Sequence, residues 1–255
     1  MYIMFSKVKI IYIERTTSTQ DAVIDYLKND YYPSLLLIAK IQSSGRGSKS
    51  DDWISAEGGF WATLGTSLSF SLNEKQIAFF HYFTAILLAR VIQEEYDLKV
   101  QIKWPNDILY ENKKLAGILI DYVVASQNNY FLIGMGVNLN NSSRDMPKEL
   151  QKITISIKDL LERSISIENF AHYICFYANQ YYMPIIDWDL KKIQILIQEY
   201  NLQSRSYRKE VILDDSKKYI CNGINSDGLM EFAEGKTKLL LKISDSTRIR
   251  KIYEL

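Results

Sequence analysis

A strand that has to bend is the feature that most constrains this chain. Val100, Ile102 and Trp104 alternate as one face of a β-strand. Pro105-Asn106-Asp107 reads as a bend, and Glu111-Asn112-Lys113 as a tight turn into a second apolar strand over residues 115–124. The resulting short hairpin carries Lys103, Asn106, Asp107 and Lys114, which is equipment for handling an anion. Lys103 and Lys114 are expected to approach one site from two strands. An ammonium group beside apolar neighbours needs an anionic partner, because an unpaired charge in a low-dielectric site is costly. A phosphate or carboxylate meets that need.

A second segment points the same way. Gln42-Ser43-Ser44-Gly45-Arg46-Gly47-Ser48-Lys49 follows the apolar run 35–39, which reads as a buried strand. Gly45 and Gly47 let backbone N–H groups come close to an oxyanion, and Arg46 offers a planar fork of donors. Taken alone, Gly-Arg-Gly is a weak signal and more often an ordinary surface turn. No Gly-Lys-Ser/Thr follows at P-loop spacing and Gly-x-Gly-x-x-Gly is absent, which disfavours a P-loop kinase and a Rossmann dehydrogenase.

Periodicity predicts helices over residues 20–29, 72–96, 157–163, 168–182 and 190–203. It predicts strands over 1–13, 59–68, 100–110, 115–124 and 130–139, which together form a mixed sheet in an α+β fold. From residue 204 the texture changes to short alternating runs at 207–213, 218–224, 229–232 and 238–243, with Asp227-Gly228 and Glu234-Gly235 as turns. The expected division is therefore 1–203 and a small β domain, 204–255. A chain of 255 residues with 47% hydrophobic content can bury a sizeable core. Its net charge of +1, from 31 basic and 30 acidic residues, gives no footprint for nucleic acid. No signal peptide is expected, and no stretch reaches the length of a membrane span. Cys175 and Cys221 lie far apart with no Cys-x-x-Cys, so neither a disulfide framework nor a zinc site is indicated. A reducing cytoplasm is the expected setting. His81 and His172, within helical stretches, read as structural or surface residues.

The blocks Gln42-Ser43-Ser44-Gly45-Arg46-Gly47, Lys103-Trp104-Pro105-Asn106-Asp107, Lys114-Leu115-Ala116-Gly117-Ile118-Leu119 and Gly134-Met135-Gly136-Val137-Asn138, with Ser18-Thr19-Gln20 upstream, resemble biotin protein ligases in type and order. That resemblance implies a mixed-sheet ligase domain with flanking helices, of the class II aminoacyl-tRNA synthetase type, followed by an SH3-like barrel. It implies ATP and biotin as substrates, Mg²⁺ on the triphosphate, and a biotin carboxyl carrier domain as partner, with a homodimer possible and neither nucleic acid nor membrane involved. By the same resemblance Ser18, Thr19, Gln42, Gly45, Arg46, Lys114, Gly117, Leu119, Gly134 and Gly136 bind biotin. Arg46, Gly47, Ser48, Lys49, Trp53, Lys103, Asn106, Lys114 and Asn138 bind ATP or the adenylate. Read without it, Ser18 and Thr19 are helix caps, Trp53 is a core aromatic, Asn138 is a strand-end residue and the glycines mark bulges.

The implied chemistry joins two anions: biotin's carboxylate attacks the α-phosphorus of ATP, giving biotinyl-5′-AMP and pyrophosphate. Arg46, Lys103 and Lys114 screen that repulsion, with Lys114 the central cation. A carrier lysine then attacks the mixed anhydride, and Asp107 orients the incoming amine. Two departures from the family pattern stand out. Ser48 replaces the usual second loop arginine, so looser adenylate retention is expected, with Lys49 an inexact substitute; Ser48→Arg is expected to slow adenylate release. No winged-helix segment is seen in the sequence, so a ligase without a repressor role is expected. Lipoate protein ligase is the nearest alternative, since Lys103-Trp104-Pro105-Asn106-Asp107 has a counterpart there, and a non-catalytic biotin-binding protein is the second.

Overall fold

The computed structural model describes residues 8–29, 32–47, 52–124, 129–213 and 215–244. Strand β1 (Lys9–Thr16) runs parallel to β2 (Ser34–Arg46), joined by helix α1 (Thr19–Asn29). Every other strand pair in this sheet is antiparallel, and β4 (Phe60–Leu68) and β8 (Asn129–Val137) lie at its centre. Next come β7 (Lys113–Val123), β6 (Asp107–Tyr110) and β5 (Gln101–Lys103), giving the order β1-β2-β4-β8-β7-β6-β5. Strand β3 (Asp52–Ser55) folds back on the end of β2. The expected mixed sheet and α+β class are thus present.

The run 35–39 is apolar throughout because both faces of the sheet are covered. Leu36 and Ile38 join the main core under α2 (Glu74–Tyr96), while Leu35 and Leu37 join a smaller cluster with Val23 and Leu27 of α1. Strand β8 divides the same way: Phe131, Ile133 and Met135 go to the main core, Tyr130 and Leu132 to the α1 side. Helix α2 starts at a capping box in which Asn73 and Gln76 exchange backbone and side-chain hydrogen bonds. It ends at Asp97, which takes the left-handed conformation with φ 53°. By length and composition α2 meets the requirement for a membrane span, contrary to expectation, but 67% of its most apolar window is buried inside the protein. Its apolarity belongs to a central core helix against which α5 (Ile167–Ile186) and α6 (Leu190–Gln203) pack. Helix α5 runs four residues beyond the expected Tyr182, through Pro184.

Sequence patterns missed β3, a 3₁₀ turn at Ser143–Asp145 and the short α3 (Lys148–Gln151), and they extended α4 (Ile157–Leu161) by two residues. The expected strand 100–110 is two strands, divided at a cis Trp104–Pro105 bond. Of the expected strand 1–13, residues 1–7 lie outside the described residues. The C-terminal strands β9 (Glu210–Ile212), β10 (Lys218–Ile224), β11 (Met230–Glu234) and β12 (Thr237–Leu241) form an open antiparallel sheet ordered β12-β11-β10-β9. Its apolar face, with Cys221, Met230 and Phe232, continues the main core. The Tyr82 hydroxyl donates to the Gly228 carbonyl, and Asn201 exchanges two hydrogen bonds with Ile224.

Candidate active site

Strand register, rather than sequence proximity, assembles the site. Across the sheet Trp61 pairs with Gly136, Gly136 with Gly117, Gly117 with Asp107, and Asp107 with Lys103. One step along, Thr63 pairs with Gly134 and Gly134 with Leu119. Directly opposed residues share a face, so Gly136, Gly117 and Asp107 of the first row and Thr63, Gly134 and Leu119 of the second make the floor of a cavity of about 350 Å³ at the N-terminal end of α1. Glycine is required where β3 approaches that floor: a Cβ on Gly136 would lie 2.7 Å from the rigid Trp53 ring. A Cβ on Gly134 would lie 2.9 Å from Gln20 Oε1 on α1. The ring that lies against Gly117 and Gly136 is the indole of Trp53, part of the protein itself.

Lys114 reaches the cavity through a β-bulge. The β6–β7 register shifts between Ile108 and Leu109, and Leu115 and Ala116 both point into the main core. Without the extra residue Lys114 would face away from Gly117; the bulge puts both on the cavity side. Its Nζ lies 2.7 Å from Asp107 Oδ1 and 4.9 Å from the centroid of the Trp53 ring. The anionic partner expected for this ammonium is therefore supplied from within, by Asp107. Lys103 differs from expectation: its side chain is 50% exposed, its Nζ is 3.9 Å from Asp107 Oδ2, and it does not line the cavity. It sits at the outer end of its register row, on the short strand β5.

The opposite end of the cavity is uncharged. The Thr19 backbone N–H and hydroxyl both donate to Gln42 Oε1, at 2.7 and 3.1 Å, and Gln42 Nε2 donates to Ser55 Oγ. The Thr63 hydroxyl lies between Gln20 Oε1 at 2.8 Å and Thr19 Oγ1 at 2.9 Å. Ser18 acts as the helix cap, its Oγ accepting from the Gln20 N–H, and it also lines the cavity. Capping and site roles thus fall on neighbouring residues. Trp53 Nε1–H, turned toward Gly136, is buried without a partner among the described residues, a deficit of about 1–3 kcal/mol.

Of the remaining expected residues, Gly47, Asn106 and Asn138 line the cavity. Asn106 donates to the Ile118 carbonyl at 2.6 Å, and Asn138 accepts from Asn141. Gly45 lies behind the wall, where a Cβ would meet Trp53 O at 2.4 Å. Ser48 and Lys49 lie outside the described residues. Arg46 lines the cavity mouth with its guanidinium on Asp21 and Asp121. Sequence reasoning missed Gln20 and Thr63 as site residues. The first lay inside a quoted motif, and the second was visible as a lone polar residue within a buried apolar strand. It also missed the wall of Met146, Leu150, Ile153 and Thr154. That wall is joined to β7 by the Lys114 N–H donating to the Ile153 carbonyl and the Ile155 N–H donating to the Lys114 carbonyl, and no local signal announces it. Burial lowers the His81 imidazole to about pKa 4, so it is neutral near pH 7. His172 bonds the Glu168 carbonyl within its own helix.

The model of the biotin/lipoate A/B protein ligase family matches residues 12–140, half of the chain. The "Bifunctional ligase/repressor BirA" of Bacillus subtilis is 28% identical over 235 residues, covering 90% of this chain and 71% of that protein. The human "Biotin--protein ligase" is 30% identical over 160 residues, covering 60% of this chain and 21% of that protein. The fold is shared with a biotin protein ligase from Aquifex aeolicus solved with biotin and ATP, at TM-score 0.73, 19% identity, and 91% and 95% coverage of the two chains. It is shared also with the Leishmania major ligase solved with biotinyl-5-AMP, at TM-score 0.62, 20% identity, and 92% and 98% coverage.

Proposed function

The chain belongs to the biotin/lipoate A/B protein ligase family, and from that premise we propose that it is an ATP-dependent biotin protein ligase. One observation carries the reading: a single cavity joins an uncharged hydrogen-bonding end to an end built on Lys114 and Asp107. The uncharged end suits a ureido ring, whose carbonyl and N–H groups can exchange partners with Thr19, Gln42 and Ser18. The dithiolane ring of lipoate offers no such groups and would leave buried polar atoms facing sulfur and carbon. The charged end then receives the carboxylate.

In the first step a carboxylate oxygen of biotin attacks the α-phosphorus of ATP; the P–O bond to pyrophosphate breaks and a mixed anhydride forms. Lys114 leaves Asp107 for the reacting anions and stabilises the charge that develops on the phosphoryl oxygens. In the second step a lysine amine of a carrier domain attacks the acyl carbon, AMP departs, and the amine loses a proton. Asp107, released from Lys114, orients that amine. Mg²⁺, carried by the triphosphate, would supply neutralisation of phosphate charge there. Before the reaction Asp107 pairs with Lys114, and the described residues lining the cavity offer scattered oxygen donors such as Asp52 and Asn138 rather than a carboxylate cage.

Residues 1–203 form the ligase domain in this reading, and 204–255 an SH3-like appendage fastened to α2 and α6. The amine donor is the carrier domain of a biotin-dependent carboxylase, the setting is the cytoplasm, and two copies associate. ATP–pyrophosphate exchange, run with biotin and with lipoate in parallel, tests the activity without needing the carrier. Exchange with biotin alone is expected. Exchange with lipoate alone, or with neither, rejects the reading.

A further inference from the structure

Arg46 closes β2, and both of its outer nitrogens are taken: Nη1 lies 2.8 Å from Asp21 Oδ1 and Nη2 3.0 Å from Asp121 Oδ2. The two carboxylates stand on α1 and β7, so one guanidinium joins three elements around the cavity mouth. The three groups sum to −1, which is the wrong sign for gripping an anion. The same stretch of β2 is held at its backbone, since the Ser44 N–H donates to the Thr17 carbonyl at 2.9 Å. Across the hairpin Gly45 pairs with Trp53 and Arg46 with Asp52, so fixing Arg46 fixes the indole that lies on Gly117 and Gly136.

We propose that Asp21 and Asp121 are positioning residues that use Arg46 as a clasp, holding Trp53 over the cavity while Lys114 supplies the electrostatic part of the chemistry. The proposal rests on the ligase reading for its catalytic consequence, though not for its structural one. A carboxamide at position 121 cuts the clasp and keeps its shape. A lysine at position 46 keeps the charge and reaches only one carboxylate. Asp121 is the more telling target because its side chain is 26% exposed against 58% for Asp21, so solvent screens it less.

The test compares wild type, Asp121→Asn, Arg46→Lys and the double variant in biotin-dependent pyrophosphate exchange, in release of preformed adenylate, and in amide hydrogen exchange of residues 44–46 without ligand. Each single change is expected to raise the KM for biotin and the release rate about fivefold, the scale of one partly exposed ion pair. Asp121→Asn leaves kcat within about twofold, and both single changes speed amide exchange at 44–46. The double variant is no worse than the worse single one, because both cut the same clasp. Slower adenylate release in Asp121→Asn together with a kcat loss in Arg46→Lys would overturn the proposal, since Arg46 would then be a direct anion ligand that Asp121 restrains. If wild type fails to exchange with biotin, the ligase reading fails, and the amide measurement alone decides: unchanged protection in Asp121→Asn rejects the clasp.

Discussion

The two ends of the cavity are built on opposite principles. At the uncharged end Thr19, Gln20 and Thr63 are 4%, 3% and 0% exposed and their hydrogen bonds interlock. At the charged end the Lys114 side chain is 33% exposed and is paired with Asp107. The buried end is preorganised, because removing any one group leaves another unsatisfied in a low-dielectric setting. The charged end is exchangeable: partly solvated ion pairs are worth little net, so a ligand anion can replace Asp107 at Lys114 without a large penalty. On the proposed reading, one end selects by fixed shape and hydrogen-bond pattern, and the other trades partners as the reaction proceeds.

The sharpest way to break this contrast is Lys114→Ala. Removing the cation aimed at the reacting phosphoryl group is expected to lower the kcat of pyrophosphate exchange by about 10²–10³-fold, while thermal unfolding changes little. A variant exchanging at the wild-type rate would remove Lys114 from the chemistry. Next in size is Thr63→Val, which keeps shape but strips the hydroxyl from between Gln20 and Thr19. It is expected to cost about 1–3 kcal/mol of stability and to raise the KM for biotin more than it lowers kcat, as measured by calorimetry and exchange kinetics. Equal losses in both variants' kcat would erase the division of labour. The smallest effect is expected from Lys103→Ala: with half of its side chain exposed, it should change kcat/KM by about twofold or less at physiological salt and somewhat more at low salt. A loss as large as that of Lys114→Ala would move Lys103 into the site.

Much of the buried end was legible. Ser18, Thr19 and Gln42 lie in motifs whose order is visible in the chain, and the apolar runs around them mark strands covered on both faces. Thr63 was overlooked because a single threonine in a strand is ordinary until its neighbours are known. The charged end was legible in composition and less so in geometry. Lys103 and Lys114 look equivalent on paper, yet one occupies the outer end of a register row and the other is turned inward by a bulge. Asp21 and Asp121 carried no signal at all, since nothing local ties either carboxylate to an arginine on another strand.

The sequence alone determined the α+β class, the family, most of the segments that become strands and helices, and the polar motif residues at the cavity. These follow from local periodicity and motif chemistry, which act over a few residues. Tertiary structure alone decided which of those groups meet. It placed Gly136, Gly117 and Asp107 in one row, aimed Lys114 through a bulge, raised the wall from Met146 to Thr154, laid Trp53 on two glycines and gave Arg46 to two carboxylates. The physical reason is that a one-residue change of register exchanges the two faces of a strand. Register is fixed jointly by core packing and turns between segments far apart in the chain, so no single segment contains it.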